Sequence, residues 1–181
     1  MTGLLMQEAP RLASTVRLAA EGDEAAFTRL VVLHRESMAR VAFVICGDAE
    51  ATRDAVQSAW SIAWRRLPTL RDPERVGPWL LGIAANEARH LVRARRRRPV
   101  VDISETTEPD ERTDPAGLIG LVDLQRALAD LTPDDRRLLA LRYVAGFDST
   151  EIARHTGLSA SGVRSRLARL IERLRTDIDH D

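Results

Sequence analysis

The stretch that decides the fold runs from residue 151 to residue 164 and reads EIARHTGLSASGVR. A short helical segment reaches Gly157, and Ser159 can cap a second helix that begins directly after it. Ser149 or Thr150 is expected to cap the first. Two helices joined by a short turn with glycine form a helix-turn-helix, which places its second helix in the DNA major groove. The stretch therefore predicts a DNA-binding motif.

The second helix of this motif, expected over residues 159–175, sorts into two faces. At about 100° per residue, four apolar side chains form a stripe that we expect to be buried: Val163, Leu167, Leu170 and Leu174. The opposite side carries short or charged side chains: Ser161, Arg164, Ser165, Ala168 and Arg169. Arginine can bind guanine through two hydrogen bonds and serine can reach bases or phosphates, so this face fits a major groove. Arg166 and Arg173 flank it and are expected to contact phosphates. An arginine-rich, solvated helix face is the alternative.

The chain before the motif divides into a helical part and an acidic linker. Residues 118–131 are expected to form a helix, and residues 132–135 (TPDD) to begin another that reaches about Tyr143. Residues 99–117 read PVVDISETTEPDERTDPAG, with six acids, one base and three prolines. They carry a net charge of −5 and no hydrophobic period. This composition predicts a flexible linker without a packed structure of its own.

The N-terminal part predicts longer helices. The apolar residues between Asp23 and Gly47 recur at helical spacing, which predicts a helix. Asp23 is expected to cap its start, and Gly47 is expected to end it. A second helix is expected over residues 50–67, and Pro78 is expected to open a third that ends near residue 97. Residues 12–20 are shorter and weakly amphipathic. The predicted fold is all-α, with two small helical domains (1–98 and 118–181, the latter with the helix-turn-helix) and the linker at 99–117.

The end of the third helix is strongly basic. It carries Arg89, Arg93 and an unbroken arginine run at 95–98. Four consecutive arginines cover every side of a helix, so a polyphosphate surface is a natural partner and its binding would depend on salt. A solubilising helix end next to the acidic linker is the alternative.

The three tryptophans lie within twenty residues of one another, at Trp60, Trp64 and Trp79. Exposed aromatic rings beside a basic surface can stack on unpaired bases. For Trp60 and Trp64, packing between helices is the favoured alternative.

The composition excludes several classes of protein. The chain has 181 residues with 27 cations, all of them arginine, and 27 acids. A net charge of zero argues against a protein that coats nucleic acid by bulk charge, and the absence of lysine fits codon bias. The single cysteine, Cys46, excludes a disulfide framework and lies in an apolar run as a core residue. No signal peptide or membrane span is visible, so we expect a cytoplasmic protein. No catalytic residue, metal site or cofactor motif is found, so none is expected.

Four phrases of the sequence together resemble a known family. They are AEGDEAAF at 20–27, DAVQSAWSIAWRR at 54–66, WLLGIAAN at 79–86, and the helix-turn-helix stretch. In this order and with this linker length, the chain resembles the extracytoplasmic-function (ECF) sigma factors of bacterial RNA polymerase. The resemblance covers residues 12–176. It implies a sigma region two, a linker and a sigma region four.

The resemblance also implies partners for each part. The helix with Asp54, Gln57 and Trp60 would dock on the clamp helices of the largest polymerase subunit, and region four would meet the flap of the second-largest subunit. The linker would thread the polymerase cleft near the path of nascent RNA, where an acidic strand mimics nucleic acid. An anti-sigma factor is expected to clamp regions two and four and hide their polymerase-binding faces.

Two sets of residues would contact promoter DNA. The loop at 66–75 and the helix after it would melt the minus-ten element and hold a flipped base. We call these residues the minus-ten set: Arg66, Arg71, Trp79, Asn86, Arg89 and Arg93. The outward face of the second motif helix would read the minus-35 element. We call its residues the minus-35 set: Ser161, Arg164, Ser165, Arg166, Ala168 and Arg169.

The chain departs from the family pattern at four positions. Arg53 stands where the family often has an acid before Asp54, and Trp60 stands where phenylalanine is usual. His90 replaces the aspartate that usually follows Asn86 by four residues, and Ala168 is small where a larger side chain can read DNA. These departures bear on the clamp contact and on both promoter preferences.

The function predicted from the sequence is a dissociable transcription initiation factor, not an enzyme. It would give core polymerase its promoter specificity. A stand-alone helix-turn-helix regulator is the first alternative, and a protein-interaction adaptor that never touches DNA is the second.

Overall fold

The computed structural model describes residues 2–97 and 128–179, with side chains for residues 11–97 and 128–176. Every regular element in these ranges is helical, which confirms the all-α prediction. The N-terminal half contains α1 (Thr2–Ala20), α2 (Glu24–Cys46), α3 (Ala49–Arg66) and α4 (Val76–Arg97), with 3-10 turns at Leu67–Thr69 and Pro73–Arg75. The C-terminal half contains α5 (Pro133–Leu139), a π-helical turn (Ala140–Val144), α6 (Ser149–Thr156) and α7 (Ala160–Asp179).

Short polar side chains and a glycine set the helix boundaries in the N-terminal half. The Asp23 carboxylate caps α2 by accepting from the Ala26 N–H at 2.7 Å, and Gly47 ends it with a left-handed φ of 83°. Helix α4 begins at Val76, slightly before the predicted start. Pro78 is tolerated there because the first N–H groups of a helix have no partner within it. Helix α1 is also longer than the predicted segment at 12–20.

Small side chains let the N-terminal helices approach closely. Helix α2 packs against α3 and α4, and their contact surfaces are rich in fully buried alanines: Ala26, Ala59, Ala63 and Ala84. Phe27 meets the edges of two rings, with centroids 5.6 Å from Trp60 and 4.8 Å from Trp64. The structure therefore supports packing as the role of Trp60, whereas Trp64 contacts Phe27 but stays 37% exposed.

The C-terminal half follows the sequence pattern with two differences. The helix predicted to reach about Tyr143 ends as an α-helix at Leu139 and continues as a wider π turn, in which the Ala145 N–H bonds the Ala140 carbonyl at 2.9 Å. Asp148, not Ser149 or Thr150, caps α6. Ser159 caps α7 as predicted, because its hydroxyl accepts from the Gly162 N–H at 3.1 Å. The helix predicted at 118–131 and the linker at 99–117 lie largely outside the described residues.

The two halves of the chain share one apolar core. Cluster members on α2 and α4 (Val41, Ala42, Ile45, Ala85, Ala88) lie together with buried residues from the C-terminal half (Leu131, Leu138, Leu141, Ile152, Val163, Leu167). The predicted division into residues 1–98, 99–117 and 118–181 did not include a packed contact between the two helical parts. Burial of apolar surface between the halves holds them together.

A buried arginine crosses the same junction. Arg136 is 7% exposed, and it donates one hydrogen bond to the Ile45 carbonyl at 3.0 Å and another to the Ala129 carbonyl at 3.0 Å. The Ile45 carbonyl belongs to the last turn of α2, where no helical N–H can reach it. Arg136 of the C-terminal half thus donates a hydrogen bond to a main-chain carbonyl of the N-terminal half.

Cys46 lies beside this junction, and its burial confirms the core assignment. Burial and the charge of Asp48 raise the pKa of its thiol to about 11.

Within the described ranges, no helix combines the length and apolarity needed to cross a membrane.

Replacing Arg136 with methionine tests the crossing contact. Arg136→Met should lower the free energy of unfolding by about 2–3 kcal/mol, since two hydrogen bonds from a charged donor are lost and the Ile45 carbonyl is left buried. Urea unfolding followed by circular dichroism measures the change. Arg164→Met, on an exposed helix face, is the control and should change stability little. Equal stability of the two variants would contradict the role given to Arg136.

Candidate nucleic-acid interface

The outward face of α7 is open to solvent. The predicted buried stripe is confirmed, with Val163 at 0% and Leu167, Leu170 and Leu174 at 7 to 8% exposure. On the other side, five members of the minus-35 set are exposed: Ser161, Arg164, Ser165, Ala168 and Arg169. The helix thus presents two guanidinium groups, two hydroxyls and a methyl group on one side. These groups match the donors and small apolar contacts that read base edges.

The sixth member of that set, Arg166, is held differently. It is half-buried, and its Nε donates to the Asp135 carboxylate of α5 at 2.7 Å. Asp135 also accepts from the Thr132 hydroxyl at 2.6 Å. In this conformation Arg166 ties α7 to α5.

A capping box positions α6 ahead of the turn. The Asp148 carboxylate accepts from the N–H groups of Thr150 at 2.7 Å and Glu151 at 2.8 Å, and the Glu151 carboxylate accepts from the Asp148 N–H at 3.0 Å. The hydrogen bond from the Glu151 N–H, helped by that from Thr150, lowers the pKa of Asp148. Gly157 then turns the chain with a φ of 75°, a value that favours glycine.

The minus-ten set is spread along the loop and α4. Arg66, Arg71 and Arg93 are exposed, whereas Trp79, Asn86 and Arg89 are half-buried. The structure brings Arg71 and Trp79 into one cleft, and the far wall of this cleft belongs to the C-terminal half: Phe147, Glu151, Arg154 and His155. The N-terminal half alone therefore does not form this cleft.

Arg89 and Arg93 meet a carboxylate from the other half of the chain. The Arg89 Nε donates to Asp134 Oδ1 at 2.5 Å, and the Arg93 Nη2 lies 3.1 Å from Asp134 Oδ2. Burial alone would raise the pKa of Asp134, but the Arg89 hydrogen bond and the nearby arginine charges outweigh it and lower the pKa. The carboxylate therefore stays ionised at neutral pH.

The residues predicted to bind polymerase lie on α3 but not as one exposed patch. Asp54 and Gln57 are exposed, and Asp54 Oδ2 lies 3.7 Å from the Arg95 guanidinium. Trp60 packs against Phe27 instead. Arg95 also approaches Asp48 at 3.4 Å, so part of the basic run pairs with acids at the start of α3.

Sequence reasoning missed the residues that join the halves. Arg137 is 5% exposed and donates to the His155 carbonyl, and burial, followed by the charge of Arg89, lowers its pKa to about 10. Gly82 faces the His155 ring across the junction. Nothing in the local sequence separates a buried arginine from a solvated one, because the difference depends on which helix packs above it.

No group of His, Cys, Asp and Glu among the described residues could hold a metal ion. The fold and the exposed α7 face define a helix-turn-helix protein made of two packed halves.

Two family models match the chain. The model described as Sigma-70 region 2 matches residues 30–98, and the model described as Sigma-70, region 4 matches residues 121–174. Together they cover more than half of the sequence, in the order that the four sequence phrases predict.

Individual relatives agree with these models. A probable RNA polymerase sigma factor of Xanthomonas campestris, RfaY, is 33% identical over 168 residues, which is 88% of this chain and 42% of that protein. The ECF RNA polymerase sigma factor SigL of Mycobacterium tuberculosis is 28% identical over 161 residues, or 87% of this chain and 91% of that protein.

A solved structure shows the same arrangement of helices. It is CnrH of Cupriavidus metallidurans in complex with the cytosolic domain of CnrY, with a TM-score of 0.69 and 26% identity. The likeness covers 94% of this chain and 98% of CnrH. This chain belongs to the ECF sigma factors of RNA polymerase, within the sigma-70 family.

The capping box predicts a pH dependence of stability. Because the folded chain lowers the pKa of Asp148 below its ordinary value of 3.8, the stabilisation is present above that value and is lost as pH falls through the folded pKa. Asp148→Asn keeps an oxygen that can cap the helix but cannot titrate. Acidification from pH 5 to pH 2.5 should therefore lower the urea midpoint less in the variant than in the wild type.

The other acids titrate in both proteins, so they cancel in this comparison. The same loss of stability in both proteins on acidification would show that Asp148 contributes nothing to it.

Proposed function

We propose that the chain binds core RNA polymerase and directs it to promoters through two DNA-binding surfaces. The minus-35 set on α7 reads duplex DNA, and the minus-ten set on the loop and α4 opens the strands and holds an unpaired base. The observation that carries the proposal is the outward face of α7, where Arg164 and Arg169 are exposed opposite a buried apolar stripe. Arginines on such a face can each bind a guanine through two hydrogen bonds.

The polymerase contacts follow the division of the chain. Residues 1–98 form the region two domain, and Asp54, Gln57 and Trp60 on α3 meet the clamp helices of the largest subunit. Residues 118–181 form the region four domain, which meets the flap of the second-largest subunit, and residues 99–117 connect the two domains. The exposure of Asp54 and Gln57 supports this assignment, while the packing of Trp60 against Phe27 gives it an indirect role.

The chain itself performs no reaction in this proposal. The polymerase carries out nucleotide transfer in the cytoplasm, and the sigma factor needs no cofactor or metal. An anti-sigma factor regulates it by covering its polymerase-binding faces. The likeness to CnrH, solved with the cytosolic domain of CnrY, supports a protein partner of this kind.

Run-off transcription with purified core polymerase tests the function. The promoter is first identified by sequencing the transcripts that appear when the chain is overexpressed. We expect a product that requires both the chain and core polymerase. Binding of the duplex without any polymerase-dependent product would favour the stand-alone regulator instead.

A double variant tests the α7 surface. Arg164→Ala with Arg169→Ala should lower run-off activity about 30-fold or more, as expected when two contacts to bases worth about 1–3 kcal/mol each are lost. Arg175→Ala removes an exposed arginine about three turns beyond Arg164 on the same helix and serves as the control.

A template with a scrambled minus-35 element completes the test. On it, the double variant and the wild type should be equally active. Full activity of the double variant on the intact promoter would contradict the role of α7 and would favour the adaptor alternative.

A further inference from the structure

We propose that a cavity between α4, α5 and α7 binds a small anion of the phosphate class, with the buried Arg137 guanidinium as its main contact. The occupant is free phosphate or the terminal phosphate of a small phosphorylated molecule, because both present the same charged oxygens. This ligand site goes beyond the proposed recognition of promoters, and its test needs no polymerase.

The observation that carries the inference is a buried cation without a counter-ion. Arg137 is 5% exposed, and its Nη2 donates to the His155 carbonyl. Among the described residues, its Nε has no hydrogen-bond partner and no carboxylate lies within ion-pair distance of it. Burial, followed by the charge of Arg89, lowers the pKa of Arg137 to about 10, so the group is still protonated at neutral pH. A buried charge is costly unless it is paired, so an anion beside Arg137 would stabilise the folded chain.

The Arg137 side chain lines a cavity that is large enough for such an anion. The cavity has a volume of about 230 Å³, whereas one water molecule takes up about 30 Å³ in the liquid. Its polar walls come from four helices: Arg89 of α4, Asp134 and Arg137 of α5, Thr156 at the end of α6, and Arg166 of α7. The side chains of Arg89 and Arg166 are 20% and 35% exposed, so the cavity can be reached from solvent on their side.

The charges around the cavity favour an anion that carries two negative charges. The lining and the ion pairs at its edge bring together four arginines and two carboxylates: Arg89, Arg93, Arg137, Arg166, Asp134 and Asp135. Each carboxylate neutralises one arginine, which leaves two positive charges in excess. A phosphate monoester carries about −1.5 to −2 at pH 7, which matches this excess.

The chemistry of the donors also fits phosphate. A guanidinium presents its N–H groups in a planar fork, and this fork matches the spacing of two phosphate oxygens. Arg137 has an unpaired Nε and is already held in place by its bond to the His155 carbonyl. Little side-chain freedom is therefore lost when an anion binds, which favours affinity.

The shape of the cavity favours a free or terminal phosphate over the DNA backbone. A backbone phosphate has a sugar on each side, so it needs an open groove along which the strand can run. The walls of this cavity instead belong to α4, α5, the end of α6 and α7. The exposed arginines of α7, Arg164 and Arg169, do not line it.

Isothermal titration calorimetry of the full-length chain tests the inference. The titrants are inorganic phosphate and glycerol 3-phosphate at neutral pH, and sodium chloride keeps the ionic strength constant. We expect saturable binding of one anion per chain. Arg137→Met should weaken this binding about tenfold or more, because hydrogen bonds from a charged group to the anion are lost. Tighter binding of glycerol 3-phosphate would assign the site to a phosphorylated molecule, and tighter binding of inorganic phosphate would assign it to the free anion.

A matched control separates the site from the loss of one positive charge. Arg29→Met removes an arginine from an exposed position of α2 that does not line the cavity. It should bind the anion as the wild type does. Arg166→Gln, at the half-exposed edge, should weaken binding in the same direction as Arg137→Met and carries the test if that variant does not fold.

Thermal unfolding gives a second readout of the same site. An anion that binds only the folded chain raises the Tm. Phosphate also stabilises proteins without a site, because it is excluded from their surfaces. The rise in Tm on adding phosphate should therefore be larger for the wild type and Arg29→Met than for Arg137→Met.

Two results would overturn the inference. One is the absence of saturable binding to the wild type, or equal affinities of the wild type, Arg137→Met and Arg166→Gln. The other is displacement of the bound phosphate by single-stranded DNA together with an equal loss of DNA affinity in Arg137→Met, because the cavity would then belong to the nucleic-acid surface. Neither result depends on the outcome of run-off transcription.

Discussion

The packing of the C-terminal helices against α2 and α4 is the contact on which the rest of the structure depends. It buries apolar residues from both halves in one cluster, and it encloses Arg136, whose guanidinium bonds the Ile45 carbonyl at the end of α2. Because these contacts are dense, they fix how α5, α6 and α7 lie over α4. The pairing of Asp134 with Arg89 and the cleft beside Trp79 both follow from that placement.

Arginine serves three different purposes in this molecule, although its chemistry is the same throughout. Arg136 and Arg137 are buried and donate to main-chain carbonyls, which uses the planar, multi-donor guanidinium in a way that lysine cannot reproduce. Arg89 is paired with a carboxylate across the junction, whereas Arg164 and Arg169 stand in solvent. Location alone separates a structural arginine from one available to DNA. Codon bias can explain why every cation is arginine, but not where each one lies.

The structure also shows where part of the charge that sums to zero is paired. By sequence, residues 21–98 carry +4 and residues 99–117 carry −5, so the charges of the basic N-terminal domain and the acidic linker offset each other in the sum. Among the described residues, acids of the C-terminal half lie against that domain: Asp134 at Arg89 and Arg93, and Glu151 at Arg75. The pairing is local and specific, so part of the neutrality comes from ion pairs between the two halves.

The sequence by itself determined the all-α fold, the glycine and cap residues that bound α2 and α7, and the two faces of the recognition helix. Each of these depends on residues a few positions apart, through helical periodicity and local hydrogen bonds. The sequence placed the cap of α6 one residue too late, because neighbouring polar residues can all cap the helix. It also did not show the π turn. Only the tertiary structure decided that Asp134 meets Arg89 across 45 positions and that Gly82 admits the His155 ring. Such contacts join residues far apart in the chain, and no local pattern encodes which distant side chain will pack above a given helix.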